Sequence, residues 1–296
     1  MPEQPLYGAI EAGGTKFVCM VARGPGECLA ETRIPTTSPE VTLTAVMEFF
    51  DAQTGQHGKL SGIGVASFGP VDLRGQSATY GRILATPKPH WSYTDLVTPL
   101  RERFGCRVAI DTDVNAAALA EARLGAGQGC GTLVYVTVGT GIGGGIFTAG
   151  HTHKGRLHPE LGHLRVLRHP DDNSFAGICP FHGDCLEGLA SGAAIMARYG
   201  QSLDALSPDH PAFAHVAYYL GQLTSTLILS LAPDRILLGG GVMQQQGLFP
   251  LLRETAAQLL NGYAGLGEPD WLEHNVIAPA LGQEAGLTGA LLLLMD

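Results

Sequence analysis

The sequence predicts an α/β protein of two lobes, and three observations carry that expectation. Two glycine-rich turns, Ala9–Lys16 and Val138–Gly145, are each preceded and followed by β-branched or apolar runs. A short apolar strand, Val108–Ile110, leads into an alanine-rich helical stretch that begins near Asn115. The chain is 296 residues long, enough for two lobes with a core each, and its 41 glycines follow no collagen-like period, which implies many tight turns.

The first turn lies between Tyr7–Ile10 and Phe17–Ala22, the second between Thr132–Val138 and Ile146–Thr148, so both read as strand, turn, strand. Such a turn presents backbone N–H groups to an anion without side-chain obstruction. Thr15 in one and Thr140 in the other add a hydroxyl. Together they are read as a phosphate clamp in which two lobes close on one nucleotide. Gly139, Gly141 and Gly144 also match the dinucleotide spacing G-x-G-x-x-G. That fingerprint needs a helix to start in the loop, whereas Ile146–Thr148 continues as a strand, so a nucleotide-phosphate hairpin is expected instead.

Between the turns, Val108–Ala122 places polar residues where a strand becomes a helix. A carboxylate there, Asp111 or Asp113, can take a proton from a hydroxyl that attacks phosphorus. Asp111 or Thr112 would equally serve as the helix N-cap. Ala66–Asp72 closes an apolar strand with the turn Gly69-Pro70. Thr86–Trp91 offers an aromatic ring that either faces a ligand or packs in the core. Phe213–Leu231 reads as a core helix, and Arg235–Leu238 as the strand before Gly239-Gly240-Gly241-Val242.

Of six cysteines, Cys19, Cys28, Cys106 and Cys130 sit in or beside strand-like segments and read as ordinary thiols. Cys179 and Cys185 differ, because Cys179-Pro180-Phe181-His182-Gly183-Asp184-Cys185 sets two thiols and an imidazole at three-residue steps. That is ligand spacing for Zn²⁺, and His163 is the best upstream candidate for the fourth donor. Four protein ligands make a structural site that pins a turn-rich loop.

Composition narrows the partners. Charged residues are only 15% of the chain and the net charge is −9, with 18 Lys and Arg in all, which argues against a nucleic-acid partner. Met1–Pro5 carries no basic segment before an apolar run and is not read as an export signal. No run, Ala290–Met295 included, is long enough to span a bilayer, so no membrane partner is expected and the cytoplasm is the expected compartment.

These segments have a common likeness. The order Gly-Gly-Thr-Lys, Asp-Val-Asn-Ala-Ala-Ala-Leu-Ala-Glu, Gly-Thr-Gly-Ile-Gly-Gly-Gly, Glu-Leu-Gly-His, Cys-x-x-His-x-x-Cys-Leu-Glu-Gly and Gly-Gly-Gly-Val resembles the ROK family of repressors and sugar kinases. The segments Ile10–Phe17, Asp111–Asn115 and the Cys-x-x-His-x-x-Cys loop are similar to its bacterial fructokinase branch.

The resemblance implies an actin-like, ribonuclease H-like two-lobed α/β kinase with a zinc-stabilised loop, in which MgATP and a free hexose share a cleft. By that likeness Asp113 is the general base. Thr112 stands where the family usually has Asn, and Glu160, His163 and Glu187 match positions that hydrogen-bond sugar hydroxyls. Gly69 and Pro70 border the sugar. Gly13, Gly14, Thr15, Lys16, Thr140, Gly141, Gly240 and Gly241 fall at the nucleotide. His163, Cys179, His182 and Cys185 carry over as zinc ligands, and Glu11 stands where most of the family has Asp, acting on Mg²⁺ through its waters. Residues 1–117 are expected to form the first lobe, joined by a small-residue helix over 283–296, and 118–282 the second. The activity implied is phosphorylation of D-fructose to fructose 6-phosphate, with glucose, mannose or an N-acetylhexosamine as alternatives, by a homodimer. The family's repressors carry a DNA-binding module before the first hairpin, which Met1–Leu6 is too short to hold.

Overall fold

The structure is a computed structural model that describes residues 4–172 and 174–295. Met1–Glu3, part of the segment read for an export signal, and the last residue of the expected 283–296 return lie outside the described residues. Two compact units result: Met1–Arg123 with Thr152–His158 and Gln283–Asp296, and Leu124–His151 with Pro159–Gly282.

In the first unit the apolar runs make β1 (Leu6–Ala12), β2 (Lys16–Ala22) and β3 (Cys28–Pro35), followed by α1 (Pro39–His57), β4 (Leu60–Ser67), α2 (Thr98–Phe104), β5 (Arg107–Thr112) and α3 (Asp113–Leu124). The sheet order is β3-β2-β1-β4-β5. β1 and β2 form the antiparallel hairpin, paired from Tyr7 with Ala22 to Ala12 with Phe17, while β4 and β5 run parallel to β1 and to each other. Ser38 caps α1 with Pro39 at its first position, the arrangement in which proline's missing N–H costs nothing. Phe17, Phe50, Ile63, Trp91 and Leu100 fill this core.

The second unit repeats the plan. Its elements are β6 (Thr132–Val138), β7 (Ile142–Thr148), β8 (His151–Thr152), α4 (Leu186–Ala190), α5 (Gly192–Tyr199), α6 (Pro211–Leu231), β9 (Arg235–Gly239), α7 (Leu248–Leu260), α8 (Pro269–Asn275) and β10 (Val276–Ile277). The sheet order is β10-β9-β6-β7-β8, again a hairpin with parallel strands beside it. α6 is buried along most of its length, as an apolar helix inside a core must be. Its Leu220 and Leu223 share one core with Leu238 of β9 and Leu252 of α7. No helix among the described residues is long and apolar enough to cross a membrane.

The last helix, α9 (Ala285–Leu292), belongs to the first unit. It lies so close to the sheet that a Cβ on Gly64 would fall 1.7 Å from the Ala290 carbonyl oxygen. A side chain at that strand position is sterically excluded.

Three details differ from the sequence reading. β7 starts at Ile142, so Gly143–Gly145 are strand and not turn. At Gly144 a Cβ would meet Leu161 Cδ1 at 2.4 Å, which is why glycine stands in a strand there. α3 continues unbroken through 117 to Leu124, and the units divide between 123 and 124. Thr152–His158 belongs to the first unit, where Thr152 Oγ1 and Lys154 Nζ each reach Asp111 Oδ2 at 2.8 Å and His158 Nε2 accepts from Val71 N at 3.0 Å.

Candidate active site

In the first unit the β5–α3 junction separates the two aspartates. Asp111 is fully buried and spent on structure: Oδ1 accepts from Thr112 N and Asn115 Nδ2, and Oδ2 from Thr152 and Lys154. Thr112 is the N-cap, its Oγ1 accepting from Asn115 N at 3.1 Å, and is 2% exposed, so what its hydroxyl retains for a sugar is its hydrogen and one lone pair. Asp113 is the first residue of α3 and partly exposed; Oδ1 accepts from Val114 N at 2.9 Å, and Oδ2 accepts nothing among the described residues. Burial pushes its carboxyl up to about 6, against the Val114 N–H, which favours the charged form. A carboxylate poised there is ionised at neutral pH yet still able to take a proton.

Glu11, near the end of β1, is held up to about 7, first by burial and then by the charge of Asp113, with Lys16 opposing. A carboxyl held up by burial and by a second carboxylate's charge makes a site whose energy a divalent cation lowers, so the donor set suits Mg²⁺. Gly286 leaves the space Glu11 occupies, since a Cβ there would sit 2.4 Å from Oε1.

The first turn is closed by Gly13 N donating to Lys16 O at 3.0 Å. That bond takes Gly13 out of the expected set of free phosphate donors and leaves the N–H groups of Gly14 and Thr15. Lys16 and Thr15 point to solvent. Gly69-Pro70, at the end of β4, is a cis peptide. Trp91 is 0% exposed, packs on Phe17 and Phe68 and donates Nε1 to Thr37 O at 2.8 Å, so of its two expected fates the core is the one observed.

In the second unit the turn Gly139–Gly141 is braced rather than open on all sides. Gly139 N donates to Gly141 O at 2.9 Å, Gly192 N donates to Gly139 O at 2.7 Å, and Ile142 N donates to Glu187 Oε2 at 2.9 Å. Glu187, expected at sugar hydroxyls, therefore commits one oxygen to this turn, and a Cβ on Gly141 would lie 2.6 Å from that oxygen. Thr140 at the tip is exposed. Gly240 has φ +91° and stands with its missing Cβ 2.5 Å from Val138 O, a position for glycine alone; Gly241 beside it is exposed.

The expected metal ligands come together. The ligand atoms of His163, Cys179, His182 and Cys185 all lie within 4.8 Å of one another. His163 Nδ1 is 3.7 Å from Cys179 Sγ and 3.6 Å from Cys185 Sγ, and His182 Nδ1 is 3.6 Å from Cys179 Sγ. Those are close to the edge lengths of a tetrahedron with Zn–S near 2.3 Å and Zn–N near 2.0–2.1 Å. His163 uses Nδ1 there and keeps Nε2 on the other side of the ring. It stands on the short helical turn Leu161–His163, with Glu160, half-buried, just before it.

With these geometries established, the chain can be set among known proteins. The model of the ROK family matches residues 7–296, and the chain belongs to that family. It is 46% identical to a fructokinase of Zymomonas mobilis, covering 98% of this chain and 97% of the relative. It is 40% identical to a fructokinase of Pediococcus pentosaceus, covering 97% of each. Among solved structures it resembles a ROK hexokinase from Thermus thermophilus (TM-score 0.77, 28% identity, 97% of each chain covered). It also resembles a ROK glucokinase from Streptomyces griseus in complex with glucose and AMPPNP (TM-score 0.73, 26% identity, 96% and 97% covered). The two mixed sheets with their helices are the α/β architecture of ROK sugar kinases.

Proposed function

We propose that this protein is an ATP-dependent fructokinase that transfers the γ-phosphoryl group of ATP to the C6 hydroxyl of D-fructose. The observation that carries the reading is the full-length likeness to fructokinases, 46% and 40% identical to this chain. Asp113 supports it. Its open Oδ2 holds the attacking hydroxyl and takes the proton late, as a loose phosphoryl-transfer transition state requires. The N–H groups of Gly14 and Thr15 and the hydroxyl of Thr15 are assigned to phosphate oxygens, as are Thr140 and Gly141. Gly240 and Gly241 leave backbone bare for a flat purine. Glu160, His163 Nε2, the second oxygen of Glu187, Thr112 and the Gly69-Pro70 turn are assigned to the sugar, and Lys16 to the phosphates.

Glu11 is assigned to Mg²⁺ through its waters, and the ion supplies charge neutralisation on the phosphates. His163, Cys179, His182 and Cys185 are assigned to a structural Zn²⁺, which supplies a crosslink that a loop poor in apolar side chains lacks. The reading extends to a homodimer, the assembly common in the family, working in the cytoplasm, where ATP is available.

Steady-state rates of sugar-dependent ADP release across free hexoses test the reading. Fructose should give the highest kcat/KM. A higher value for glucose, mannose or an N-acetylhexosamine would reassign the substrate, since one or two contacts decide between such sugars. ADP release that no hexose stimulates would refute the kinase.

A further inference from the structure

Thr86–Trp91 carries a lysine that none of these roles uses. The segment is fixed by Trp91, whose indole donates to Thr37 O at 2.8 Å with its ring 5.3 Å from Phe17 and 5.6 Å from Phe68. The residue before Thr37 braces the first phosphate turn: Thr36 N donates to Thr15 O at 2.9 Å and Thr36 Oγ1 to Gly13 O at 2.8 Å. Two adjacent residues thus hold both the turn and the tryptophan at a set separation. Lys88 itself sits between Pro87 and Pro89, whose rings restrict the backbone. Its amide donates to Thr86 Oγ1 at 3.4 Å and its carbonyl accepts from Trp91 N at 3.3 Å. From this base Nζ reaches across to donate to Gly14 O.

One neutral carbonyl satisfies only part of an ammonium, which has three donors and a full charge. No carboxylate pairs with the half-buried Lys88 among the described residues. Lys16, on the same turn, differs: it is exposed, and its charge acts on Glu11. The uncompensated cation of the turn is Lys88. The space beside Gly14 is open, with no atom within 4 Å of where a Cβ would stand.

We propose that Lys88 is a phosphate-binding residue of this turn, placing its ammonium on a non-bridging oxygen of the terminal phosphoryl group while that group is transferred. The proposal rests on the kinase reading above. Lys88 makes and breaks no covalent bond and stays protonated throughout; it offsets the charge that the three peripheral oxygens carry. The chemistry it recognises is a terminal phosphate, so a nucleoside monophosphate should not sense it.

The test compares the wild type with Lys88→Met, Lys88→Arg and Lys16→Met, using calorimetric binding of ATP, ADP and AMP in the presence of Mg²⁺ together with fructose kinetics. For Lys88→Met we expect kcat/KM for ATP to fall about 10²-fold, the loss typical of one donor to transition-state charge. ATP binding should weaken at least about tenfold, AMP binding by less than about twofold. Lys88→Arg should restore the preference for ATP over AMP to within about threefold because it keeps the charge, and Lys16→Met should change that preference less than Lys88→Met does. Equal weakening of all three nucleotides would show that only the shape of the turn was lost, and unchanged ATP binding would show no role; either result overturns the proposal. A wild type without fructose-dependent turnover would sink the kinase reading instead, and the ATP-to-AMP comparison would still decide Lys88.

Discussion

Replacing the Asp113 carboxyl by an amide should slow the enzyme and strengthen its fold at the same time. The folded chain holds the Asp113 proton up to about 6, whereas the ordinary value is 3.8. Between those values the folded state binds more protons than the unfolded one, so stability falls as pH rises through this window and stays lower above it. The full cost of ionisation is about 3 kcal/mol, and solvent at a partly exposed group trims it to about 1–3 kcal/mol. Asparagine has nearly the same shape, can still accept from Val114 N, and carries no charge. Metal- and ligand-free Asp113→Asn should therefore gain about 1–3 kcal/mol in urea unfolding at pH 8, a gain that shrinks as pH falls through this window and disappears below the ordinary value of 3.8, where both states of the wild type become protonated. Glu11, held near 7 partly by Asp113, should relax downward in the same variant. Turnover should drop at least about 10²-fold with fructose affinity within severalfold, because the base acts in the transition state. Wild-type turnover in this variant would remove Asp113 from catalysis. A loss of stability at pH 8 would refute the claim that burial works against its charge.

Three further predictions use other parts of the fold. Elemental analysis of protein purified without chelator should find about one zinc per chain, and Cys185→Ser should lower both that content and the melting temperature; no zinc in fully active protein would retire the metal site. Gly64→Ala should give insoluble or unfolded chain because its Cβ would enter the Ala290 carbonyl, whereas Gly14→Ala, which meets nothing within 4 Å, should stay within about 1 kcal/mol of wild type; circular dichroism and urea melts decide. Lys154→Met leaves the fully buried Asp111 without its cation and should cost about 1–3 kcal/mol, a range discounted because Lys154 is 37% exposed; an unchanged urea midpoint would mean that Thr152, Asn115 and Thr112 suffice.

What the sequence made legible is what local chemistry decides. The two hairpins, the apolar length of α6, the strand before Gly240 and the Cys-x-x-His-x-x-Cys loop each carry their signal within a few residues, and the fold contains each of them. The fourth member of the cluster, His163, lies 16 residues before Cys179, and the fold brings its Nδ1 to 3.7 Å from Cys179 Sγ. Contacts made across long sequence separations were not legible. Lys88 reaches a carbonyl 74 residues away, Glu187 reaches the amide of Ile142 across 45, and His158 takes the Val71 amide across 87. No propensity or spacing encodes such a bond, because the partner is chosen by the packing within each unit and not by the neighbours in sequence.

The same reasoning explains the fold contacts of Thr112 and Trp91. Thr112, expected at the sugar, is also a cap: a hydroxyl placed where a strand ends and a helix begins has four orphan N–H groups at hand, and its Oγ1 accepts from one of them, Asn115 N. Trp91 was left open between ligand and core, and the core wins because its large apolar area and single N–H are both satisfied there, by Phe17, Phe68 and the Thr37 carbonyl. In both cases a residue that chemistry could use is first claimed by the fold. What the fold leaves over, an open oxygen on Asp113 and an unpaired charge on Lys88, is where catalysis is to be sought.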